Sequence, residues 1–119
     1  MEDYKNLQFH CELKAIPFSA LSEEEMQLVE LCLKARSRSR APYSEFEVGA
    51  SLLLENGQFV LGANQENAAY PSGLCAERTA LFSSGVNFPG VPIKALAVSV
   101  PDDAPQIPFP CGGCLQVMA

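Results

Sequence analysis

Apolar positions along the chain follow two different patterns. Leu28, Leu31, Cys32 and Ala35 repeat at intervals of three and four, which puts them on one stripe of a helix. Ser22 and Glu25 have the spacing of a capping box. Glu23–Glu25 then lie at the positive end of the helix dipole, and Lys34, Arg36 and Arg38 near its negative end. The pattern predicts a helix from about Glu23 to Ser37, and Pro42 blocks its continuation. Glu45 to Leu54 and Phe59 to Asn64 are valine- and leucine-rich runs separated by Glu55-Asn56-Gly57-Gln58. Asn-Gly at that place predicts a hairpin whose two central residues take positive φ.

Further along, Pro71-Ser72-Gly73 reads as a loop and Leu74 to Ser84 as a helix. Gly85, Pro89, Gly90 and Pro92 mark a connection over 85–92. Ile93 to Val100 reads as a buried strand, Asp102 to Pro110 as a loop, and Gly112 onward as the first turns of a helix. A short strand is also expected near Phe9 to Ala15, ended by Pro17. Helix, hairpin, helix, strand, helix makes an α/β domain, a sheet with helices packed against it. Residues 1–119 are expected to form a single domain, with 1–20 as an N-terminal extension.

Composition narrows the function. The chain has 119 residues, 48% of them apolar and 18% charged, enough to build one core. Its net charge of −6 argues against a basic grip on phosphate backbones, so no nucleic-acid partner is expected. The longest apolar stretch, Val48 to Leu54, is far short of the roughly 20 residues that span a bilayer. Met1-Glu2-Asp3 does not open a secretory signal. No membrane partner and a cytoplasmic location are therefore expected. The cysteines (Cys11, Cys32, Cys75, Cys111 and Cys114) are odd in number, so a fully paired disulfide framework would leave one over.

Two segments carry candidate chemistry: Cys75-Ala76-Glu77-Arg78 and Pro110-Cys111-Gly112-Gly113-Cys114. Each puts a cysteine at an expected helix start, where unpaired N–H groups favour thiolate over thiol. Cys111 and Cys114, three apart, can aim both sulfurs at one point. With Cys75 they offer three ligands and one open position, the arrangement of a catalytic zinc site. Glu77 would stand beside the metal without binding it, where a carboxylate can exchange protons with an acidified water. The same chemistry is general to zinc nucleobase deaminases, including those with three cysteine ligands. Buried structural cysteines, or a redox pair at Cys111 and Cys114, are the alternatives. Cys32 falls on the helix stripe as a core residue, and adjacent His10 and Cys11 are expected to be exposed or half-buried.

In five ordered motifs the chain resembles the small homotetrameric cytidine deaminases. These are Ala41-Pro42-Tyr43-Ser44, Phe46-Glu47-Val48-Gly49-Ala50, Asn64 through Pro71, Gly73 through Ala80, and Pro110 through Cys114. The resemblance runs from about residue 22 to the end. It implies a cytidine deaminase-like fold, a mixed sheet with helices on both faces. It implies one Zn²⁺ per chain held by Cys75, Cys111 and Cys114, with Glu77 as the catalytic proton shuttle. It further implies that Asn64 and Glu66 hydrogen-bond the ribose, that Phe46 packs on the pyrimidine, and that the Ala76 backbone contacts the base. Tyr70 would complete a neighbouring subunit's site in a homotetramer, and Arg78 would hydrogen-bond the cysteine sulfurs.

The implied reaction is hydrolytic deamination of cytidine or 2′-deoxycytidine, a step of pyrimidine salvage. Two departures are visible. Leu115 stands where the family usually has arginine, leaving Arg78 and the helix dipoles to offset the charge of three thiolates. Family members also continue beyond this helix with further strand and helix, so the C-terminal elements are expected to be missing. Two other functions stay open on these grounds: a non-catalytic or regulatory zinc-binding subunit, and a deaminase of aminonucleoside antibiotics.

Overall fold

The structure is a computed structural model that describes residues 3–105 and 108–119. Met1 and Glu2, and Gln106 and Ile107 within the expected 102–110 loop, lie outside the described residues. Helix α1 (Glu23–Arg36) starts on the expected capping box: Ser22 Oγ accepts the Glu25 amide at 3.1 Å, and Glu25 Oε1 accepts the Ser22 amide at 3.2 Å. Leu28, Cys32 and Ala35 are its buried stripe, and Leu31 is half-buried.

Strands β1 (Gly49–Leu54), β2 (Phe59–Ala63) and β3 (Ile93–Ser99) form an antiparallel sheet in the order β2-β1-β3. A mixed sheet is expected from the sequence. Among the described residues the parallel element is an isolated bridge between Arg40 and Gln65. Every β1 residue is buried, without alternation, because both faces of this central strand are covered. Ser51 points to α1 and donates its hydroxyl to the Leu28 carbonyl at 2.6 Å. Ala50, Leu52 and Leu54 point the other way, into a core with Val60 and with Ala76, Ala80 and Leu81 of helix α2 (Ala76–Asn87).

Glycines let the two helices come close. A Cβ at Gly49 would run into the Cys32 carbonyl of α1. One at Gly62 would run into the Ala76 carbonyl and the Ala80 amide of α2. Helix α3 (Gly112–Met118) lies chiefly against α2.

Five local expectations are corrected. Phe9 to Ala15 forms no strand: the segment is irregular and Phe9 is 93% exposed, since an extended run needs a partner ladder and finds none. The hairpin turn has positive φ at Gly57 (+85°) but not at Asn56. The Gly57 amide bonds the Leu54 carbonyl and the Leu54 amide bonds the Gln58 carbonyl, as in a three-residue loop with a glycine bulge. β1 begins at Gly49 rather than Glu45, because Glu45 has φ +56° and belongs to a tight turn. α2 continues through Gly85 to Asn87, and the reversal falls at Gly90, with φ +78°. β3 is exposed at Ile93 and half-buried from Ala95 to Val98, the burial of an edge strand rather than a central one.

Candidate active site

The site is assembled from three chain segments that converge beside the sheet. β2 ends at Ala63, and the residues after it cross back over the Ala41–Phe46 turn. The Arg40 amide bonds the Asn64 carbonyl, and the Glu66 amide bonds the Arg40 carbonyl. A short 3-10 turn (Tyr70–Ser72) leads to Cys75, the N-cap of α2. Cys111 is the N-cap of α3. A cavity of about 690 Å³ lies between these segments. Its walls include Phe46, Asn64, Glu66, Tyr70, Cys75, Ala76, Glu77, Arg78 and Cys111. Cys114 is buried beside it.

The three sulfurs meet. Cys75 Sγ is 3.9 Å from Cys111 Sγ, Cys111 Sγ is 3.5 Å from Cys114 Sγ, and all three lie within 4.8 Å of one another. Sulfurs on one tetrahedral zinc at about 2.3 Å stand about 3.8 Å apart, so these thiols already have the spacing of a shared metal. Cys11 is exposed and Cys32 lies in the α1 core, and neither belongs to this group.

The electrostatics of the site suit a positive charge among these groups. The Cys111 thiol is lowered to about 7, chiefly by the Cys114 amide that donates to its sulfur at 3.4 Å. Burial pushes Cys114 up to about 12, with further contributions from the neighbouring thiols and from Glu77. Glu77 is 7% exposed, and its Oε2 lies 3.7 Å from Cys114 Sγ. A buried carboxylate against a buried thiol is a costly pair unless a positive charge joins it. Part of that charge is Arg78, whose Nη2 donates to Cys75 Sγ at 3.4 Å. Its pKa is raised by the hydrogen bond to Cys75 and then by one to Cys114. Arg78 Nε is buried without a partner. Leu115 is 43% exposed on α3, so Arg78 is the guanidinium at the sulfurs.

The family model for the "Cytidine and deoxycytidylate deaminase zinc-binding region" matches residues 22–119. The chain belongs to this family. It is 41% identical over 96 residues to the cytidine deaminase of Halalkalibacterium halodurans, covering 81% of this chain and 70% of that protein. It is 46% identical over 96 residues to that of Sporosarcina psychrophila, covering 78% of this chain and 66% of that protein. The crystal structure of cytidine deaminase from Burkholderia pseudomallei superposes with a TM-score of 0.70 at 40% identity, over 82% of this chain and 75% of that one. The family's domain binds zinc, and Cys75, Cys111 and Cys114 are a group among the described residues that could hold a metal ion.

The residues expected from the sequence to contact a nucleoside line the cavity, and two of their side chains also hold the neighbouring turn. Asn64 and Glu66 are expected to face a ligand. In the structure Asn64 Oδ1 accepts the Val48 amide at 2.9 Å, and its Nδ2 donates to the Phe46 carbonyl at 2.8 Å. Glu66 is buried, and its carboxylate accepts from Tyr43, Ser44 and the Ser44 hydroxyl. These bonds hold the Glu66 carboxyl below the usual carboxylate range, the Ser44 hydroxyl foremost. Both side chains thus brace the turn that carries Phe46, because a strand end beside a turn presents unpaired backbone groups that need partners. Ser44, which the sequence shows in a motif but without a role, links the Glu66 carboxylate to the Phe46 amide. Its signal is a hydroxyl two positions before a cavity aromatic.

Proposed function

We propose that the chain catalyses hydrolytic deamination of cytidine and 2′-deoxycytidine to the uridine nucleoside and ammonia. The observation that carries this reading is the meeting of three thiols and a buried carboxylate at the wall of a cavity that also holds Phe46. Cys75, Cys111 and Cys114 would hold the zinc, which when bound would supply a Lewis acid able to make a water nucleophilic near neutral pH. Glu77, 3.7 Å from Cys114 Sγ, carries protons from the attacking water to the ring nitrogen and then to the departing amine. Arg78 holds Cys75 and offsets the negative charge of the thiolates. Phe46 offers its ring to the pyrimidine. Ala76, in the first turn of α2, offers an amide without an intrahelical acceptor. Asn64 and Glu66 retain acceptor capacity for the sugar hydroxyls beyond the bonds they make to the turn.

The finer assignments follow the same family. Residues 1–119 act as a single domain with 1–20 as an extension, in pyrimidine salvage in the cytoplasm. The assembly is a homotetramer with shared sites, to which Tyr70, 58% exposed at the cavity rim, contributes across subunits. Among the described residues no helix is long and apolar enough to cross a membrane. The test is product formation from cytidine, 2′-deoxycytidine and an aminonucleoside antibiotic by zinc-loaded protein. Uridine from cytidine supports the reading. Turnover of the antibiotic alone overturns the substrate assignment.

A further inference from the structure

The Phe46 backbone is held on both sides by polar side chains. On its carboxyl side, the carbonyl accepts from Asn64 Nδ2. On its amino side, the amide donates to Ser44 Oγ at 3.1 Å, and Ser44 Oγ in turn donates to Glu66 Oε2 at 2.6 Å. Glu66 Oε1 takes the Tyr43 and Ser44 amides at 3.2 and 3.1 Å. Between Ser44 and Phe46, Glu45 has φ +56°, a left-handed conformation uncommon for a residue with a Cβ. That reversal brings the Phe46 amide back onto the Ser44 hydroxyl. Strain of this kind persists only where the surroundings hold it, and here Glu66 and Ser44 are the holders.

We propose that Ser44 is a positioning residue for the substrate, its hydroxyl coupling the Glu66 carboxylate to the Phe46 backbone and so fixing the aromatic face that receives the base. The position requires a hydroxyl. Only a group that donates to a carboxylate and accepts from an amide at once can stand between them. Alanine there removes the shortest bond to Glu66 and gives the Phe46 amide to water. Ser44 is exposed, so the substitution takes nothing from the core. The inference rests on the nucleoside reading of the cavity. A base contact is made in ground state and transition state alike, so loosening Phe46 raises KM and leaves kcat.

The experiment compares Ser44→Ala and Ser44→Thr with the unsubstituted zinc-loaded chain by two readouts, hydrogen exchange at the Phe46 amide and steady-state kinetics on cytidine. For Ser44→Ala, exchange at Phe46 quickens about tenfold. KM rises about tenfold, with kcat within about twofold. Threonine restores both. Unchanged exchange in Ser44→Ala overturns the inference whether or not cytidine is turned over. A fall in kcat at constant KM overturns it as well. If the unsubstituted chain leaves cytidine untouched, the nucleoside reading fails, and the exchange arm alone decides the hold of Ser44 on Phe46.

Discussion

The two helices that start on the clustered cysteines, Cys75 and Cys111, are anchored very differently. α2 sits on the sheet: Ala76, Ala80 and Leu81 are in the core, and Gly62 lets the strand approach its backbone. α3 is seven residues long, packs chiefly against α2, and has Cys114 as its buried residue. Helices this short are not stable by themselves. Cys75 and Glu77 are therefore placed by the core, while Cys111 and Cys114 rest on the thinner packing of α3, to which a bound metal ion would add. In such an arrangement part of the metal-binding free energy is spent docking an element, so one ion serves both chemistry and local structure.

Cutting the weaker side should have the largest effect. Cys114→Ser, or chelation of the native chain, abolishes deamination and removes amide protection from residues 112–118. Protection in β1 and α2 remains. Thiol labelling follows the same division: Cys11 reacts with or without metal, Cys75 and Cys111 only after chelation, and Cys32 only on unfolding. If α3 keeps its protection without metal, the contrast between the two helices is lost.

Damage to the firmer side should cost stability instead. Gly62→Ala drives a Cβ into the Ala76 and Ala80 backbone. Thermal or denaturant unfolding should register a loss of about 1–3 kcal/mol, the usual cost of overpacking. Bound zinc restores less of it than it restores to α3.

Arg78 joins the halves, since it grows from α2, bonds Cys75, and lies 3.6 Å from where a Cβ on Gly113 would be. Arg78→Gln should lower zinc affinity or turnover by about 10–100-fold, the range for partners of metal ligands. Competition with a chromophoric chelator measures the first, and a cytidine assay the second.

The smallest effect concerns acid. Glu66 is held below its ordinary 4.5 by Ser44 and the turn amides, so its contribution to folding is present above that value. It is lost as pH falls through the lowered folded-state value. The turn at 41–46 should then loosen at acid pH, and Glu66→Gln should blunt that pH dependence of exchange.

How much of this could be read beforehand depends on whether a residue's job is local. The α1 cap, the buried stripe and the hairpin were legible, because capping boxes and Asn-Gly turns are decided within a few residues. The cysteine trio was legible as chemistry, since three thiols and a carboxylate at two helix starts leave few other uses. The extension at Phe9 to Ala15 and the edge character of β3 were not, because both depend on what lies beside them. Asn64 and Glu66 were read as facing a ligand. Their bonds to a turn some twenty residues upstream have no signature along the chain.

The most direct test follows the absorbance of cytidine with zinc-loaded protein beside Glu77→Gln, each carrying one zinc per chain. Turnover in the unsubstituted protein, reduced by about 10²–10⁴-fold or more in Glu77→Gln, is the predicted result for a carboxylate that carries protons in the reaction. Equal turnover by both, with zinc in place, would contradict it.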